Sequence, residues 1–113
     1  MSEPSVFERI VAGEIPSTKV FENERVLAIQ DIAPKAPVHL LVFPKTGEYR
    51  DVAALAAGDP ALLAELVAVA QQLADEHAGG QFRLVFNTGA DAGQTVFHVH
   101  AHVLAGDLSE ANL

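Results

Sequence analysis

Hydrophobic and polar positions alternate along this chain with two different periods, and the places where the period changes mark its elements. Ser5 and Glu8 have the spacing of a capping box, and Val6, Phe7, Ile10 and Val11 follow as a short apolar stripe. That spacing predicts a helix ending by Gly13. The segment TKVFENERVLAIQD reads as two strands joined around Glu22 to Glu24, IAPKAP as a proline-punctuated loop, and VHLLVF as a third strand closed by Pro44. A short helical segment is expected at DVAALAA. Beyond it, Asp59 and Pro60 suit the N-cap and first position of a longer helix. Leu62, Leu66, Val69 and Leu73 repeat at helical spacing, and Gly79-Gly80 supplies the stop. FRLVFN and VFHVHAHVLA then read as strands four and five, joined by the turn-rich TGADAG, and no internal repeat is present. Strands in meander order, with a short N-terminal helix before them and a long helix between the third and fourth, predict a five-stranded antiparallel α+β domain.

Length and composition narrow this picture. A chain of 113 residues accommodates one ordinary core, so residues 1–113 are read as one domain. With 50% hydrophobic and 19% charged residues the chain is expected to fold as a globular unit. No apolar run is long enough to span a bilayer, and the opening MSEPSVFERIVAGE lacks a basic flank and an apolar export core. A cytoplasmic protein without a membrane partner is therefore expected. Cysteine is absent, which excludes disulfides, thiolate catalysis and Cys-ligated zinc. A formal charge of −8 with only seven Lys and Arg disfavours a nucleic-acid partner, while leaving room for a small anion in a local pocket.

The stretch GQTVFHVHAHVLAG carries the candidate chemistry, because His98, His100 and His102 occupy alternate positions of one apolar run. On a strand they share one face, with Phe97, Val99, Ala101 and Val103 on the other, and neighbouring imidazoles stand about 6.5 to 7 Å apart. Two such histidines could share a zinc ion, but the outer pair is too far apart to join them. A polar strand face without chemistry is the other plain alternative. The reading with most content divides the work among the rings: neutral imidazole attacks, imidazolium stabilises an anion, and a neighbouring ring fixes the attacker's tautomer. An ordinary histidine pKa near 6.5 makes both charge states accessible. A phosphorus centre suits that set, with GADAGQT offering backbone N–H groups beside it.

HVHAHVL fits a pattern of His and hydrophobic residues written His-φ-His-φ-His-φ-φ, and on it the chain resembles the histidine triad (HIT) superfamily, Hint branch. The blocks IVAGEIPSTKVFENERVLAIQDIAPKAPVHLLVFPK and RLVFNTGADAGQTVFHVHAHVLAG are similar to the family's two characteristic segments in order and spacing. The resemblance implies a homodimeric α+β hydrolase of the purine nucleoside phosphoramidase kind, acting on an AMP- or GMP-type nucleotide through a covalent nucleotidyl-histidine. It assigns the attack to His100 and phosphate binding to His102, and it has His98 and His39 orient and polarise the attacker. Asp31 is implied at the ribose, Asn87, Gly93, Gln94, Thr95 and Val96 at the phosphate, and Phe7, Ile10, Ile15, Ile29 and Ile32 around the base. Each has a plainer reading: Asp31 and Asn87 as turn residues, the apolar set as core, and His39 as a satisfied interior histidine beside Leu41 and Phe43. His77 is read only as a cation in the last helical turn. A dinucleoside polyphosphate hydrolase, a non-catalytic nucleotide-binding protein and a zinc module through His98 and His100 are the alternatives.

The chain departs from the family pattern in places. Many bacterial relatives place a zinc-binding Cys-x-x-Cys pair where this chain has Ser5 and Glu8. No metal or cofactor is therefore expected. Gln30 stands where some relatives have histidine and Thr95 where serine is common, and the tail GDLSEANL carries no aromatic group to shape the leaving-group side.

Overall fold

A computed structural model describes residues 3–110 of the chain; the last three residues of the tail segment lie outside them. Asp59 closes one helix and opens the next. Its N–H donates to the Leu55 carbonyl at the end of α2 (Val52–Gly58), and its side chain accepts from Leu62 N–H in the first turn of α3 (Pro60–Ala78). Asp51 caps the start of α2 in the same way, through Ala54 N–H. Gly79 ends α3 in the left-handed region at φ 62°, where a side chain would be strained. The expected capping box is also present at α1 (Val6–Val11): Ser5 Oγ accepts from Glu8 N–H, and Glu8 accepts from Ser5 N–H.

The strands are β1 (Lys19–Glu22), β2 (Val26–Gln30), β3 (Val38–Pro44), β4 (Arg83–Val85) and β5 (Ala101–Ala105). All pairings are antiparallel, so the α+β class and the strand count are as the pattern predicts. The order is β1-β2-β3-β5-β4 and departs from a continuous meander. After α2 and α3 the chain returns at the sheet edge, and β5 folds back between β3 and β4. Strands four and five are also shorter than the alternation suggests.

Two apolar layers sandwich the sheet. On one face α3 buries Leu62, Leu66, Val69, Ala70 and Leu73 against Val26, Ala28, Leu40, Val42, Ala101 and Val103. Each large side chain so buried contributes roughly 1.5 to 3 kcal/mol of transfer free energy. On the other face α1 lays Phe7 and Ile10 over Leu27, Ile29, Leu41 and Phe43. That short helix covers only part of its face, and the candidate site occupies the rest. Among the described residues no helix is long and apolar enough to cross a membrane.

Candidate functional site

Register places the site. Leu41 of β3 pairs with His102 of β5, and His39 with Leu104, so both histidines point to the α1 side of the sheet. His98 and His100 precede β5, which begins only at Ala101, and they are therefore not held by a strand ladder. The three triad residues do not form a uniform open face. His98 is fully buried, His100 and His102 are half-buried, and Phe97, expected to face the core, is exposed. The ring centroids of His100 and His102 are 5.2 Å apart, nearer than a flat strand would set them.

The reason lies in how the backbone before β5 is anchored. Pro44 has no N–H to offer a ladder, and its carbonyl accepts from His98 Nε2 at 2.7 Å. Val99 N–H donates to the Tyr49 carbonyl at 2.9 Å instead of to a strand. The His98 ring is wedged edge-on against Phe7 and Phe43 at 5.5 and 5.8 Å, with Phe7 and Phe43 stacked 4.4 Å apart. Ser5 Oγ completes its surroundings, 2.6 Å from Nδ1.

Backbone partners fix the tautomers, because a carbonyl only accepts and an N–H only donates. His100 Nδ1 lies 2.8 Å from the His98 carbonyl, so it carries the proton and leaves Nε2 with a free lone pair. Lys35 N–H donates to His39 Nδ1 at 2.9 Å, so His39 is protonated on Nε2. That Nε2 donates to His102 Nδ1 at 2.9 Å, which leaves His102 Nε2 as an N–H donor. One accepting nitrogen and one donating nitrogen thus stand on adjacent rings. The His98 imidazole has both nitrogens committed elsewhere, so it is its carbonyl that orients His100, and His39 acts on His102 rather than on His100.

Burial holds all four imidazole pKa values below the ordinary 6.5, contrary to the expectation of an unperturbed value. His102 is pushed down to about 4 by burial first and then by His100 and His39. At neutral pH the rings are neutral, as a nucleophile requires. For His100, the hydrogen bond to the His98 carbonyl and the charge of Asp31 act in the opposite direction to burial.

Beside His102 opens a cleft of about 420 Å³ lined by Asp31, Lys35, His39, Asn87, His102 and Leu104, among others. Asp31 plays two parts there: Oδ1 accepts from Ala33 N–H at 2.7 Å, forming the turn read from the sequence, while Oδ2 stands 3.3 Å from His39 Nε2. Asn87 is half-buried, and its amide makes no hydrogen bond among the described residues. Gly93 adopts φ 97°, and a Cβ there would stand 3.9 Å from the Asn87 amide. Thr95 is exposed and Val96 packs at the edge of the α1 cluster. Gln94 differs from the expectation of a phosphate-lining side chain. It is buried, and its amide accepts from Gly89 N–H and donates to the carbonyls of Arg50 and Val96.

The five apolar residues expected around a base separate into groups. Phe7, Ile10 and Ile29 are core, Ile15 packs against them, and Ile32, next to Asp31, is 97% exposed. His77 is exposed in the last turn of α3, as expected, and lines a separate cleft that also reaches Asp31 and His39.

Two metal questions have structural answers. Ser5 and Glu8 do not fit the zinc site of the Cys-x-x-Cys relatives, because they offer no thiolates and are tied to each other and to His98. A zinc module through His98 and His100 has no free His98 nitrogen to use. Ligand atoms of Asp31, His39 and His102 do lie within 4.8 Å of one another and could hold an ion, although hydrogen bonds already join them. The sequence reading missed the backbone groups of Lys35 and Pro44, which carry no side-chain signal, and the reach of Ser5 to His98, whose one trace was the capping box.

Comparison with known proteins gives a consistent result. Residues 12–108 match the HIT domain family. An uncharacterized HIT-like protein of Synechocystis sp. is 45% identical over 107 residues, covering 94% of this chain and 93% of its own. The Arabidopsis thaliana protein named adenylylsulfatase HINT1 is 41% identical, covering 91% of this chain and 71% of its own. The structure of a HIT family hydrolase from Clostridium thermocellum superposes with a TM-score of 0.88 at 40% identity, covering 96% of both chains.

Proposed function

The chain belongs to the HIT domain family, and from that premise we propose that it is a nucleotide hydrolase cleaving at the α-phosphate of a purine nucleoside monophosphate derivative, with a nucleoside phosphoramidate as the substrate class. The observation that carries this reading is the 2.8 Å hydrogen bond from His100 Nδ1 to the His98 carbonyl, which leaves Nε2 unprotonated on a half-buried ring whose centroid is 5.2 Å from that of His102. His100 Nε2 forms a bond to phosphorus, and the P–N bond to the amine breaks. The amine leaves with that electron pair and takes a proton from solvent as it departs. The ring, now phosphorylated at Nε2 and protonated at Nδ1, is cationic, and the His98 carbonyl stabilises it. Water then attacks phosphorus and gives up a proton to solvent, the electrons of the P–Nε2 bond return to His100, and the monophosphate is released.

In this reading His102 Nε2–H holds a phosphate oxygen, supported by the free amide of Asn87 and the N–H groups of Thr95 and Val96, those of Gly93 and Gln94 being committed to the Ala90 and Gly89 carbonyls. His39 sets the tautomer of His102, and Asp31 is the ribose partner at the cleft, with Ile32 presenting an apolar surface to the base. The position of β4 at an edge of the sheet among the described residues, with Phe82 and Phe86 half-buried at its ends, supports a homodimer formed by joining sheet edges.

Wild type and His100→Ala should be incubated with adenosine phosphoramidate, adenylyl sulfate and a diadenosine polyphosphate, with products and protein adducts followed by mass spectrometry. AMP release from the phosphoramidate, with an adenylyl adduct that His100→Ala lacks, is the expected result. Turnover that survives His100→Ala overturns the nucleophile. Preference for adenylyl sulfate or the diadenosine compound replaces the leaving group, and nucleotide binding without turnover by wild type makes the protein a nucleotide-binding one.

A further inference from the structure

We infer that Ser5, the N-cap of α1, is a positioning residue for His100, acting through His98; the inference rests on the reading of His100 as the nucleophile. The sequence explains Ser5 completely as a helix cap. The structure gives its hydroxyl a second partner 93 positions away.

The connection follows from hydrogen-bond roles. The Pro44 carbonyl requires a proton on His98 Nε2, so His98 Nδ1 is an acceptor, and the donor facing it at 2.6 Å is the Ser5 hydroxyl. The same oxygen accepts from Glu8 N–H at 3.0 Å, so its one proton goes to the histidine and its lone pair to the helix. His98 is in turn the residue whose carbonyl fixes the tautomer of His100.

What makes this more than an ornament of the cap is the absence of a ladder. Residues 96–100 lie before β5, and their backbone is tied by the Val99 N–H bond to the Tyr49 carbonyl and, at Val96, by the Gln94 amide, with no strand pairing among the described residues. The position of the His98 carbonyl therefore depends on where the buried ring is pinned. Two hydrogen bonds and two aromatic edges pin it, and α1 supplies the Ser5 bond and the Phe7 edge. Phe7 also meets the His100 ring at 4.9 Å, so the position of α1 bears on both histidines.

The surroundings are built for this arrangement. A Cβ on Gly47 would come within 2.5 Å of the Glu8 carboxyl carbon, so glycine there leaves room for the second half of the capping box. Ser5 and Glu8 thus combine a helix cap with a hydrogen bond to the buried His98 ring.

The test separates the cap from the clamp. Ser5→Gly removes the hydroxyl at a position where glycine is tolerated as an N-cap, Ser5→Thr retains both functions, and Glu8→Ala weakens the capping box while leaving the Ser5 hydroxyl. Imidazole ¹⁵N shifts report the His100 tautomer without any turnover, and steady-state kinetics on adenosine phosphoramidate are read alongside. In Ser5→Gly the Nδ1–H form of His100 should lose its dominance, with kcat falling about tenfold and KM moving less than twofold. Ser5→Thr should restore both, and Glu8→Ala should lower the melting temperature with the His100 signature unchanged. A Ser5→Gly protein that is folded and has the wild-type His100 signature overturns the inference, as does an equal change of that signature in Glu8→Ala. Should phosphoramidate turnover be absent even in wild type, the ¹⁵N result still decides whether Ser5 sets the ring, while the assigned activity fails separately.

Discussion

His39 Nε2 stands 2.9 Å from His102 Nδ1, and the direction of that hydrogen bond is dictated by Lys35, whose backbone N–H occupies the other nitrogen of His39. A ring that the triad motif does not include therefore decides which nitrogen of a triad ring carries the proton. Replacing His39 by Ala frees His102 to take either tautomer and removes one of the neighbours that depress its pKa. His39→Ala is expected to reduce turnover of the proposed substrate on the order of 10-fold to 100-fold and to move the His102 pKa upward. NMR titration together with kinetics checks both; an unchanged His102 titration refutes the assignment.

Stability should depend on pH through the same rings. Their folded pKa values are depressed, most of all His102 at about 4 against an ordinary 6.5, so between those values the unfolded chain binds more protons than the folded one. The contribution is complete above pH 6.5 and is lost as the pH falls toward 4. For His102 alone it amounts to no more than about 3 kcal/mol, with partial exposure reducing it. Urea midpoints at pH 7.5 and 5.0 should differ by more for wild type than for His102→Asn, and equal differences would remove His102 as the cause.

Much of this fold was legible because its signals are local. The Ser5/Glu8 box, Asp59-Pro60 and Gly79 each act within one turn of a helix, so the ends of α1 and α3 could be read directly. Where β5 begins depended on remote groups. The alternation of His98, Val99 and His100 looks like strand, but the absence of an N–H on Pro44 and the diversion of Val99 to Tyr49 end the ladder at Ala101. Sheet order was hidden for a similar reason, since nothing local tells the chain after α3 to return at the edge. At the site, residue identity was informative and role was less so. Gln94 stands beside the loop as expected, yet its amide is used up inside the protein, and His98 serves through its carbonyl.

Phe7 supplies a third expectation. It is 5% exposed, stacks on Phe43 at 4.4 Å and 21°, and places its edge or face against His98 and His100. Phe7→Ala should cost about 3 to 5 kcal/mol by denaturant titration. Phe7→Leu, which refills much of the volume without the ring, should cost less. Because the lost surface supports both histidines, activity should fall in each variant even where it is fully folded. A folded Phe7→Leu with wild-type turnover would show that the aromatic contact to His100 has no kinetic role.

Gln94 allows the sharpest separation of loop structure from ligand contact. Its Oε1 accepts from Gly89 N–H at 2.9 Å, and its Nε2 donates to the carbonyls of Arg50 at 2.6 Å and Val96 at 3.0 Å, all from a side chain that is 3% exposed. Gln94→Glu is nearly isosteric, but it sets a carboxylate against two carbonyl oxygens and keeps only the bond from Gly89. The buried group must then either remain charged without a donor or take up a proton, and either course is costly. The loss should be roughly 2 to 4 kcal/mol at neutral pH. It should shrink as the pH falls toward 5, because the protonated acid regains one donor, opposite in sign to the trend of the histidines. Gln94→Ala removes the clash but leaves Gly89 N–H and the two carbonyls unpaired, so its deficit should be nearly independent of pH. Denaturant midpoints of the three proteins from pH 5 to 8 test this, and a Glu variant whose deficit does not change with pH would mean that the amide is not the tie that holds the loop.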